Sequence, residues 1–127
     1  MRSIPDTSVL LGPIPGEIEG EIAVSAASVA ELHFGVLVAR SDGIRANRLR
    51  RLAIIEQTFH ALAIDVIVAR EYGRLAAAVV GAGRNPRARA MDLLIAATAS
   101  AHEARLYTRN PSDLAGLEDI LEVVGVS

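Results

Sequence analysis

The chain has 127 residues, 51% apolar and 22% charged, which suits one soluble domain with a filled core. Its net charge of −2 does not mark it as a nucleic-acid binder. It has no cysteine, which excludes disulfides and thiolate zinc sites, and no apolar run near the ~18 residues of a membrane span. All 13 basic residues are arginine, and two Phe and two Tyr are too few for a base-stacking platform. Asp6 interrupts any apolar signal-peptide core, so a cytoplasmic protein is expected.

Ser3 to Asp6 reads as a first strand, and the Gly- and Pro-rich stretch 12–20 as a loop with a short helix before it. Glu21 to Ser25 reads as a second strand. From Ser28 onward Val29, Leu32, Val36 and Ala39 form one helical stripe, with Gly43 as its stop. A further helix from about Ile44 to His60 places Leu49, Leu52, Ile55 and Phe59 on one face. Residues 61–64 suggest a third strand. Asp65 then caps a helix carrying Ala69, Leu75 and Val79, ended by Gly81 and Gly83. After a polar connection, Met91 to Ala104 is an apolar central helix. Residues 105–108 form a strand, "NPSDLAGL" a turn opening a short helix, and residues 120–124 a final strand. Strands separated by helices predict a single α/β domain over 1–127, a parallel sheet of four to five strands flanked by helices on both faces.

In such sheets, sites form beyond the carboxyl ends of the strands, where Asp6 lies. Taken alone, Asp6 is more simply a turn residue or helix cap. Ser28 and Glu31 fit a capping box, a structural role for Glu31. Asp92 stands in the first turn of an apolar helix, where an unpaired carboxylate is costly to bury and calls for a cation. Asp113 suits another N-cap, and Asn110 follows the strand 105–108. Together these groups form a hard oxygen cluster of the kind that holds Mg²⁺ or Mn²⁺ for phosphodiester hydrolysis. His33, His60 and His102 are too scattered for a zinc motif, and no phosphate-loop or dinucleotide signature is present.

"PDTSVL", "SVAELHFGV", "MDLLIAATASAHEARLYTRN" and "PSDLAGLEDI", in that order, resemble the PIN-domain family, in particular the VapC-type toxins of bacterial toxin–antitoxin pairs. The resemblance implies that Asp6, Glu31 and Asp92 hold Mg²⁺ or Mn²⁺. It leaves the fourth position between Asn110, where the family has an acid, and Asp113. Thr7 and Ser8 would order water. The implied activity is endoribonucleolytic cleavage of structured RNA such as tRNA or rRNA. The implied partners are a VapB-type antitoxin and a second copy in a homodimer, within a toxin–antitoxin hetero-oligomer. Two arginine groups, Arg45, Arg48, Arg50 and Arg51, then Arg84, Arg87 and Arg89, are candidates for RNA-phosphate contact, Arg48, Arg51, Arg84 and Arg87 foremost. Two other readings stand beside this one. The first is a PIN-like binding module with weak or no turnover. The second is a DNA-directed repressor role with a DNA-binding partner.

Overall fold

The computed structural model describes residues 1–127. Five parallel strands form one sheet: β1 (Arg2–Pro5), β2 (Glu21–Ser25), β3 (His60–Leu62), β4 (Arg105–Thr108) and β5 (Val123–Gly125). Their spatial order is β3-β2-β1-β4-β5. The chain therefore winds outward from β1 in one direction, then returns to β1's other side with β4. The helices are α1 (Thr7–Leu10), α2 (Ala26–Leu37), α3 (Asp42–Thr58), α4 (Val66–Gly81) and α5 (Ala90–Ala101). Single turns of 3-10 helix stand at Pro86–Arg89 and Pro111–Leu114. No helix is long and apolar enough to cross a membrane.

Alternation along the strands splits the core between the two faces of the sheet. In β2, Ala23 packs with Val68, Leu75 and the buried side of α5, whereas its neighbour Val24 packs with Leu10, Leu32, Leu52 and Ile55. The α5 helix is the central one as its composition predicts, with Leu93, Ile95, Ala96, Ala97, Thr98 and Ala99 all buried.

Several boundaries differ from the sequence reading. Gly43 does not stop a helix; it sits in the first turn of α3, which Ser41 caps through its hydroxyl. Glycine's cost in a helix is backbone entropy, about 1 kcal/mol, which a capped helix of 17 residues absorbs. Of the expected α3 face, Leu52 and Ile55 are buried but Leu49 is exposed. Asp65 caps α4 as expected, accepting from Val68 N–H at 2.9 Å, while Ala69 faces solvent and Val68 takes the core position. The last strand begins at Val123, not at 120, because Ile120 and Leu121 close a turn against the core.

Candidate active site

The reversal of strand order falls between β1 and β4, and the crevice at their carboxyl ends is where an open parallel sheet binds ligands. Asp6 follows β1 directly, and its N–H donates to the carbonyl of Tyr107 in β4 at 2.9 Å. The Asp6 carboxylate also caps α1: its Oδ1 accepts from Val9 N–H at 3.2 Å and from Ser8 Oγ at 2.5 Å. Both bonds fall on one oxygen, so capping leaves the other available. Ser8 Oγ accepts in turn from Arg109 N–H at 3.1 Å, which joins the two strand ends through one hydroxyl. Arg109 ties the same segment more broadly, donating to Ser8 O at 3.2 Å, to Pro13 O at 3.1 Å and to the carbonyl of Ser127.

Glu31 does not sit in a capping box. Helix α2 begins at Ala26 under Ser25, whose Oγ accepts from Ala27 N–H, so Ser28 lies buried inside the first turn. The Glu31 carboxylate instead accepts from Thr7 Oγ1 at 2.6 Å, and that hydroxyl lies 3.1 Å from Ser28 Oγ. The two hydroxyls after Asp6 thus each hold one acid: Ser8 holds Asp6, and Thr7 holds Glu31.

Asp92 occupies the first turn of α5 with its side chain 44% exposed, so it is open on one side rather than enclosed by apolar neighbours. Its carboxyl is pushed above the usual carboxylate range, first by burial, then by the negative charges of Glu31 and Asp6. Arg89 opposes that push, and Asp113 adds least to it. Asp113 is not an N-cap. It lies within the 3-10 turn, and its Oδ2 is 2.9 Å from Arg89 Nη1, which also stands 3.9 Å from Asp92 Oδ2. Asn110 N–H bonds Thr108 Oγ1 at 3.0 Å. Asp6, Ser8, Asp92, Thr108, Asn110 and Asp113 line a cleft of about 130 Å³.

Hard oxygen donors of this kind suit Mg²⁺ or Mn²⁺, and a divalent cation would relieve the mutual repulsion that raises Asp92. As they stand, no three acidic or histidine side chains are close enough together to hold a metal ion. A cation shared by Asp6, Glu31 and Asp92 would need these side chains to draw inward. The histidines stay apart: His33 faces Glu56 at 3.5 Å and His102 Nδ1 lies 3.0 Å from Arg2 Nη1.

Arginines flank the cleft on two sides. With Glu31 and Thr7, Arg48 and Arg51 line an adjoining cavity of about 300 Å³, each donating to a backbone carbonyl, of Gly35 and Gly12. On the other side Arg84 reaches Ala115 O at 3.4 Å, and Arg87 is exposed nearby. A larger cleft of about 530 Å³ opens at the amino ends of the strands. Its buried-edge acid, Glu71, is already matched by Arg74 and Ser100, so it lacks the unmet charge of the smaller cleft.

Sequence reasoning missed the Arg89–Asp113 pair and the two hydroxyl clamps. Only Arg89's approach to Asp92 had a sequence signal: Arg89 stands three residues before Asp92, one helical turn from an acid that calls for a cation.

Residues 4–115 match the model of the PIN domain family. The chain is 33% identical over 124 residues to Ribonuclease VapC5 of Mycobacterium tuberculosis, covering 93% of this chain and 89% of that protein. The crystal structure of VapBC-5, a member of the VapBC family of toxin–antitoxin systems from the same organism, matches with a TM-score of 0.87 and 31% identity over 98% of both chains. FitAcB from Neisseria gonorrhoeae matches with a TM-score of 0.78 and 27% identity, over 98% of this chain and 97% of that one.

Proposed function

The chain belongs to the PIN-domain family, and from that premise we propose that it is a VapC-type ribonuclease toxin. In this reading it is a metal-dependent endoribonuclease of the cytoplasm that cuts structured RNA such as tRNA or rRNA. A VapB-type antitoxin restrains it within a toxin–antitoxin hetero-oligomer, and the toxin itself pairs as a homodimer. The observation that carries the reading is the gathering of Asp6, Glu31 and Asp92, distant in sequence, at the crevice between β1 and β4.

Asp6, Glu31 and Asp92 would hold Mg²⁺ or Mn²⁺, with the fourth position falling to Asp113 or Asn110. The cation would supply Lewis acidity for activating water and stabilising charge on the leaving oxygen. Ser8 donates to Asp6 and Thr7 to Glu31, so the turn after β1 orients both carboxylates. Arg48 and Arg51 on one side, with Arg84 and Arg87 on the other, would steer the phosphate backbone across the cleft. Scarce aromatics favour recognition of RNA by shape over stacking.

The test is cleavage of total RNA by purified protein with Mn²⁺, Mg²⁺ or EDTA, beside an Asp92→Asn control. Discrete fragments lost with EDTA and with the variant are expected. A second reading, a binding module without turnover, draws on the uncharged Asn110 beside the acids. Intact RNA with folded protein in saturating Mn²⁺ would favour it.

A further inference from the structure

We propose that Arg89 is a built-in cation at the acidic cleft, and that Asp113 holds Arg89 rather than a metal, so the site takes a single divalent ion through Asp6, Glu31 and Asp92. This rests on reading the cleft as a metal centre. Three observations carry it. Arg89 Nη1 makes its short contact with Asp113, at 2.9 Å, while its 3.9 Å approach to Asp92 leaves room for another ligand there. Arg89 immediately precedes α5 and Asp113 belongs to the 3-10 turn after β4, so the pair spans two separate elements at the cleft's rim. The other polar side chains lining that part of the cleft, Thr108 and Asn110, are uncharged and offset none of the guanidinium's charge.

A divalent ion ligated by Asp113 would have to sit beside the guanidinium or expel it. At such spacing, like charges repel strongly even when partly solvated. The guanidinium also lies close enough to Asp92 to weaken that carboxylate's hold on a metal. Arg89 is therefore a positioning residue that sets both the number of ions and their affinity, and Asp113 is the anchor that keeps it from closing onto Asp92.

Calorimetric titration of the RNA-free protein with Mn²⁺ tests this, using wild type, Arg89→Gln, Asp113→Asn and the double variant, each checked for folding by circular dichroism. One ion per chain is expected for wild type, and binding about three- to tenfold tighter for Arg89→Gln. Asp113→Asn should weaken binding only while Arg89 is present, because its freed guanidinium then turns to Asp92. In the Arg89→Gln background the same substitution should change affinity by less than about twofold, the non-additivity expected of an indirect role. Two ions in wild type would overturn the proposal. So would a loss of about tenfold or more for Asp113→Asn in both backgrounds, the signature of a direct ligand. Asp92→Asn is the separate control. If it leaves Mn²⁺ binding intact, the metal-centre reading itself fails, and this inference with it.

Discussion

At the amino end of the sheet, Glu71 accepts from Ser100 Oγ at 2.5 Å and from Arg74 Nη2 at 2.6 Å, and these bonds, Ser100's foremost, hold its carboxyl below the usual range. At the carboxyl end, Asp92 has an arginine at 3.9 Å, and its carboxyl is held above the usual range by burial first and then by the charges of Glu31 and Asp6. Both acids project from helices that pack on each other, α4 and α5. The difference is whether the fold supplies the neutralising partner. Where it does, the acid stabilises; where it does not, the acid remains available to something outside the chain. Cleft size points the other way, about 530 Å³ against 130 Å³, and is the poorer guide to chemistry here.

The strongest break of the comparison is catalytic. Asp92→Asn is expected to lower RNA cleavage by about a thousandfold, since a lost ligand removes the cation's contribution. Glu71→Gln should leave cleavage within about twofold; initial rates on one RNA substrate decide both. Equal losses in the two variants would erase the distinction between the ends.

Next in size are the clamps. Ser8→Ala and Thr7→Ala are each expected to cost about 10- to 100-fold in cleavage, the range for partners that orient ligating groups. Measured Mn²⁺ affinity should fall in parallel. A rate loss with unchanged affinity would assign the hydroxyls to water or substrate instead.

Stability sharpens the contrast with opposite signs. Glu71's folded value lies below its ordinary one, so its stabilisation is present above the ordinary value and lost as pH falls through the lowered one. Glu71→Gln should lower Tm near neutrality by roughly 2–4 °C, and the deficit should shrink in acid. Asp92's folded value lies above its ordinary one, so native stability falls as pH rises through the window between them. In EDTA, Asp92→Asn should therefore raise Tm above that window, by less than the ~4 °C that 1 kcal/mol gives a domain of this size, given the exposure of the side chain. The gain should vanish below the ordinary value. Differential scanning calorimetry across pH reads both.

The fold was legible where pattern and packing agree. β1, β2, β4 and the apolar α5 follow from period and composition, and Asp65 announces α4 by local chemistry alone. The misplaced features depend on distant neighbours. Ser28 and Glu31 satisfy a capping-box pattern in sequence, yet the helix starts earlier and Thr7, 24 residues away, claims the carboxylate. The apolar run 120–124 reads as strand throughout, but only its end pairs with β4. Asp6, Glu31, Asp92 and Asp113 each read as caps or dipole partners when taken singly; only their joint placement points to a metal cation, and the set Asp6, Glu31 and Asp92 comes from the family resemblance. The partner that Asp113 takes could not be read, because an ion pair between two connections leaves no periodic trace.

Arg109 holds Ser8 and Pro13 through their carbonyls and Ser127 through its own, so the main chain at residue 127 is mechanically linked to the turn carrying Asp6. Residue 1 lies at the opposite end, where its carbonyl accepts from Glu21 N–H at 2.9 Å and where any side chain at position 20, a glycine with φ of +81°, would collide with it. For tethering this protein to a surface or fusing it to a reporter, positions 1 and 127 are not equivalent. An attachment at residue 1 leaves from the face away from the acids. One at residue 127 pulls on the guanidinium that braces the turn after Asp6.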